Sequence, residues 1–132
     1  MTKFQKKMIL IAIFLLFSGI ILGAFGAHGL KGKISIEKIE SFKTGVNYQL
    51  YHGLGILALA ALYPFFTFSL KLIGNLMLLG IILFSGSIYL LACQELLGIS
   101  IGKILGPITP IGGLLLIVSW GILFFKIAKQ KI

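Results

Sequence analysis

MILIAIFLLFSGIILGAFGA, residues Met8–Ala27, runs for twenty residues without a formal charge. A helix of about 20 apolar residues is what the hydrocarbon core of a bilayer requires. Three further apolar stretches follow, Val46–Phe66, Leu72–Cys93 and Pro110–Ile127, and together the four fill most of the 132-residue chain. The expected fold is therefore all-α: an integral membrane four-helix bundle in one domain, residues 1–132.

Composition agrees. Hydrophobic residues make up 58% and charged residues 11%, leaving too little polar surface to cover a water-soluble domain. The formal net charge of +9 does not indicate nucleic acid, because the lysines sit at span ends and in one loop, with no arginine and no basic aromatic stripe. They read as topology signals and as contacts to anionic headgroups. Cys93 is the one cysteine, so the chain has no internal disulfide. Lys3, Lys6 and Lys7 before an apolar run that ends in small residues outline a signal peptide. The Met8–Ala27 run is longer than the usual signal core, and a retained anchor is expected.

Punctuation places the loops. Tyr63 and Pro64 close the second stretch, and Lys71 opens the third after a very short link, which makes an antiparallel hairpin. Thr109 is the expected N-cap of the fourth helix, with Pro110 at its first position. Four crossings put both termini on one side of the membrane. That side carries Lys3, Lys6, Lys7, Lys71, Lys126, Lys129 and Lys131; the other carries Lys31, Lys33, Lys38, Lys43 and Lys103. The excess favours cytoplasmic termini.

From about Ser35, Ile36, Ile39, Phe42 and Val46 fall on one helical stripe, with Glu37, Lys38, Ser41 and Thr44 on the other. This predicts an interfacial amphipathic helix between spans one and two. The segment Gln94–Thr109 is glycine-rich and still apolar, and is expected to dip into the protein.

Candidate functional residues are polar or small groups inside these stretches. Gly19 and Gly23, with Ala27 on the same ridge, let a second helix approach, either within the bundle or across a dimer. Tyr48, Gln49, Tyr51 and His52 share a broad face of span two with Gly45 and Gly55. Asn75, Gly86, Tyr89 and Cys93 line span three, and the two faces are expected to meet. His28 and His52 fall on the loop-one side, and a polar cluster holding both is expected. Its histidines are hydrogen-bonded structural groups, ligands to a metal or haem, or groups that switch protonation or contact a ligand. Glu37, Glu40 and Glu95 are the only acids, so a rich ligand set is not at hand. Neither a nucleophile with a base, nor a phosphate-cradling loop, nor an acid within a span is present. No cofactor and no catalytic residue are expected.

The segments Gly23–Leu30 (GAFGAHGL), Phe42–His52 (FKTGVNYQLYH) and Gly106–Gly113 (GPITPIGG), with weaker agreement at Gly86–Tyr89 and Trp120, give the chain a recognisable character. It resembles the small inner-membrane proteins of the YgdD and YwdK type, which are related to animal transmembrane protein 256. The resemblance implies a four-span protein of a bacterial cytoplasmic membrane. It supplies no activity, since that family is one of unknown function. The expected role is non-enzymatic, through contacts with membrane lipids, a larger membrane complex or a homo-oligomer. A small transporter or channel for a neutral solute is the alternative, and a histidine-ligated redox protein a third.

Overall fold

An uninterrupted apolar run forms a helix readily once its first backbone N–H groups are satisfied, and Thr2 does this by accepting from the Gln5 N–H at 3.0 Å. The computed structural model describes residues 1–131. Helix α1, Lys3–Ala24, continues through one wide π-type turn, Phe25–Gly29. Helix α2, Ile36–Leu62, is capped by Ser35, whose hydroxyl accepts from the Lys38 N–H at 3.3 Å. It ends in a 3₁₀ turn, Tyr63–Phe65, where Pro64 stops it. Helix α3, Lys71–Cys93, carries a second π turn at Ile82–Gly86. A short turn of helix, Gly102–Leu105, leads into α4, Ile108–Ala128.

Three of these helices, Lys3–Gly29, Lys71–Cys93 and Gly102–Ala128, are long and apolar enough to cross a membrane. Helix α2 is not among them, because Asn47, Tyr48, Gln49, Tyr51 and His52 dilute its hydropathy. The amphipathic segment expected between the first two spans is present, and it runs on without a break into the second apolar stretch. Its Phe42 turns inward and is buried, while Ile36 is 79% exposed.

Helices α1 and α2 lie antiparallel along their full lengths. Gly26 meets Phe42 at one end, Gly19 meets Leu50 in the middle, and the Gln5 amide donates to the Ala60 carbonyl (2.8 Å) at the other. The C-terminus returns to that same end, where the Gln130 amide donates to the Phe65 carbonyl (2.9 Å) and accepts from the Thr67 N–H (3.2 Å). Both chain ends therefore sit beside the turn that joins α2 to α3.

The apolar core has two parts. Toward the chain ends, Met8, Ala12 and Leu15 pack with Ile56, Leu59 and Ala60, with Ile73, Met77 and Ile81, and with Leu116 and Leu123. Toward the opposite end, Leu30, Phe42, Val46 and Ala92 form a smaller cluster. A single ion pair, Lys38 with Glu95, ties the start of α2 to the turn after α3 among the described residues there. That turn does not dip into the bundle: Leu96, Leu97, Ile99 and Ile104 are exposed, and Gly98 reverses the chain at φ +66°. Helix α4 begins at Ile108, so Thr109 lies inside its first turn instead of capping it, and its hydroxyl meets that of Ser87 at 2.6 Å.

Candidate functional site

Polar side chains inside an apolar bundle must find partners, because neither lipid nor hydrocarbon side chains offer hydrogen bonds. Gln49 is 5% exposed and joins three elements. Its Nε2 donates to the Leu15 carbonyl and to the Ser18 hydroxyl, both at 2.9 Å, and its Oε1 accepts from the Tyr89 hydroxyl at 2.8 Å. Ser18 is free to accept because its own proton goes to the Phe14 carbonyl at 2.7 Å. Both amide donors and the carbonyl are thus used. One turn earlier on α2, Gly45 leaves room for Tyr89, since a Cβ there would lie 2.8 Å from its ring. Ser85, also buried, donates to the Gly45 carbonyl at 2.7 Å.

His52, three residues beyond Gln49 and also buried, belongs to a second group on the adjoining flank of α2. Its Nδ1 lies 2.8 Å from the Tyr48 carbonyl and its Nε2 3.1 Å from the Trp120 indole nitrogen. A carbonyl only accepts and an indole N–H only donates, so the imidazole is neutral with its proton on Nδ1. Both ring nitrogens are committed. Tyr48 extends this group, its ring 4.7 Å from that of Phe84 and 6.1 Å from His52. Tyr48, His52, Phe84 and Trp120 line a recess of about 370 Å³ that opens outward between α2, α3 and α4.

The expected meeting of α2 with α3 is observed through Gln49 and Tyr89, but the cluster differs from expectation in several members. His28 is exposed on the first π turn and does not approach His52. Gly53, beside His52, packs on Leu15 and Leu16, so His28 lies about twelve residues further along α1, about 18 Å at the helical rise. The shared loop-one side implied proximity only if His52 lay at the helix end; the continuous α2 places it near mid-length. Asn75 is also outside the cluster, exposed near the start of α3 beside Phe4 and Lys7, about 20 Å from Tyr89 along the axis. Tyr51 is 62% exposed and faces away from the bundle. No group of three or more His, Cys, Asp or Glu side chains is placed to hold a metal among the described residues.

The small residues divide in the same way. Gly19 and Gly23 receive Leu50 and Val46 of α2, which makes them contacts within the chain, whereas Ala27 is exposed. Gly86 has open space where a Cβ would be, so it is not a packing glycine here. The tightest helix approach uses Gly80 and Gly112, between α3 and α4, which nothing in the spacing of either helix singled out. Ser18 and Ser85 were likewise missed; their one signal is a hydroxyl in an otherwise apolar run.

Gln49→Leu keeps the volume, removes three interhelical hydrogen bonds and strands the Tyr89 hydroxyl. It is expected to lower stability by about 1–2 kcal/mol, at the upper end for such bonds in membranes. Unfolding in detergent measures this. Adding Tyr89→Phe should recover part of the loss, because the stranded hydroxyl goes too; strict additivity would mean the two side chains act separately.

Helices of this length and hydropathy, closed around a self-satisfied polar interior, define a multi-span membrane protein. A family model described as "Protein of unknown function (DUF423)" matches residues 22–113, and the chain belongs to that family. A UPF0382 membrane protein of Staphylococcus haemolyticus is 43% identical over 107 residues, covering 81% of this chain and 83% of its own. The UPF0382 membrane protein YwdK of Bacillus subtilis is 46% identical over 101 residues, covering 75% and 77%. No solved structure matches. The matched segment takes in both π turns and the Gln49–Tyr89 bridge but stops short of Trp120.

Proposed function

We propose that this protein is a non-enzymatic, multi-pass component of a bacterial cytoplasmic membrane, related also to animal transmembrane protein 256. It acts by binding a partner within the bilayer, and the outer face of α2 is its contact surface. One observation carries this reading. Between their ends, α1 and α4 turn apolar side chains outward: Ile13, Phe17 and Ile20 on α1, Ile117, Val118 and Phe124 on α4. On α2 the outward residues include Asn47, Tyr48 and Tyr51. A side chain with hydrogen-bonding capacity that faces hydrocarbon without a partner is unfavourable, so such a face is built to be covered. The interior groups, by contrast, already serve one another, which supports a contact surface over a solute path.

In this reading α2 crosses the membrane beside α1, and both termini are cytoplasmic, in keeping with the seven lysines at their end. Cysteines introduced at Lys3 or Lys131 should resist an impermeant thiol reagent in intact cells, and one at Lys33 should react. The opposite pattern overturns the orientation, and reaction at only one terminus overturns the crossing of α2. For the contact itself, purification in mild detergent followed by mass spectrometry should recover a protein or lipid that Tyr51→Leu and Asn47→Leu release. Retention of every bound species by both variants would refute the assignment to α2.

A further inference from the structure

We propose that the end of the molecule carrying both chain termini holds one anionic phospholipid, its phosphodiester between Lys126 and Lys129 and its hydrocarbon on the apolar floor beside them. The site is a recess of about 400 Å³ between the turn that joins α2 to α3 and the last turns of α4. Thr67, Lys126 and Lys129 supply its polar groups; Phe68, Ile122 and Phe125 supply the floor. Its two walls are tied together by the Gln130 amide, which donates to the Phe65 carbonyl and accepts from the Thr67 N–H. The recess therefore belongs to the folded chain and is separate from the outer face of α2.

Charge at this end has no counterpart in the side chains around it. The three acids, Glu37, Glu40 and Glu95, all lie at the opposite end, where Lys38 pairs with Glu95 and Lys43 with Glu40. Seven lysines stand at the end with the termini, and no Asp or Glu stands with them. Of the seven, Lys126 alone is half-buried; the others are exposed. Its Nζ lies 5.3 Å from the centroid of the Phe68 ring, and an aromatic face attracts a cation without neutralising it. Lys129, three residues on, shares that side of the helix, so two positive charges converge on one recess. Lys7 lines the other cleft at this end, but that cleft has room for only about 50 Å³. A cation in the last turn of a helix also answers the free carbonyls there, a role that needs neither recess nor floor. Basic recesses between membrane helices are where phospholipid headgroups dock. A free phosphate would use the lysines alone, whereas a phospholipid meets the charged mouth and the apolar floor with one molecule.

Native mass spectrometry of the full-length chain in a neutral detergent, with equal amounts of phosphatidylglycerol and phosphatidylcholine added, tests this. One phosphatidylglycerol per chain should be retained, in roughly tenfold preference to phosphatidylcholine. Lys126→Gln and Lys129→Gln should each lower the retained fraction about fivefold, the effect of one lysine near a membrane surface. Lys129 is exposed, so its variant folds whatever becomes of the other, and Lys126→Arg, which keeps the charge, should hold the lipid. Lys3→Gln removes the same charge from the same end outside the recess and should change retention by less than about twofold. Equal retention of the two lipids would overturn the proposal, as would a fall with Lys3→Gln as large as that with Lys129→Gln, which would mean diffuse surface charge. Displacement of the lipid by inorganic phosphate at constant ionic strength would show a phosphate site and overturn the phospholipid as its occupant. Tyr51→Leu should leave this lipid in place; its loss there would put the lipid on α2 and overturn the site, while leaving the contact surface standing.

Discussion

Gly112→Ala is expected to destabilise the bundle by about 3 kcal/mol, while Gly113→Ala, one residue on, should change it by less than about 0.5 kcal/mol. The contrast comes from what each new methyl would meet. At Gly112 it would fall on the backbone nitrogen of Phe84 and lie 2.8 Å from the Leu83 carbonyl carbon; at Gly113 it would lie 3.5 Å from the Phe84 ring, an ordinary contact. Backbone cannot step aside as a side chain can, so α4 must move away from α3. Gly80 on the facing helix is equally confined, since a Cβ there would lie 3.1 Å from the Gly112 carbonyl oxygen. In a bilayer, where lipid tails are as apolar as the helix surfaces, such close packing is a main source of association. Thermal or denaturant unfolding in detergent measures both variants, and equal effects would show that the α3–α4 approach is not the constraint.

Phe42→Ala should cost a similar amount, about 3 kcal/mol, by opening a cavity at the other end of the molecule. Phe42 is 2% exposed, with its ring 4.8 Å from that of Tyr89 and 6.1 Å from that of Phe25. Gly26 exists to receive it, because a Cβ there would come within 2.7 Å of the ring. Loss of the ring frees Tyr89 as well, so proteolysis between Gly29 and Ser35 should quicken along with global unfolding. Ile36→Ala, at an exposed site on the same stripe, is the comparison and should be near neutral. If both substitutions had the same effect, the start of α2 would not be anchored through Phe42.

Much of this fold was legible in the sequence, because apolar runs of membrane length and the proline at position 64 mark helices and their ends directly. The close helix approach at Gly19 and Gly23 and the meeting of the polar face of α2 with the Tyr89 stripe were expected from helical spacing, but spacing left open whether those glycines pack within the bundle or across a dimer. What spacing did not reveal is depth and register. His28 and His52 look adjacent if α2 begins near Val46, but the Ser35 cap starts the helix ten residues earlier and carries His52 to mid-length. Asn75 shares a stripe with Tyr89 on paper, yet a stripe runs the whole length of a helix and says nothing of distance along it. Gly80 and Gly112 lie far apart in sequence, on different helices, and their pairing exists only once α3 and α4 are docked.

The wide turn at Ile82–Gly86 divides α3 into two segments with different neighbours. Below it, Lys71–Ile81 packs chiefly on α4; beyond it, Ser87–Cys93 packs chiefly on α2. An uninterrupted helix would present both segments at one angular phase, whereas a π turn adds a residue and shifts the phase of everything after it. Helix α3 thus works as a gearbox shaft with two offset keys, each cut for a different mate. Tightening or slackening that single turn would rotate Tyr89 relative to Ile73 without breaking a helix, so the polar bridge and the apolar core share one pivot.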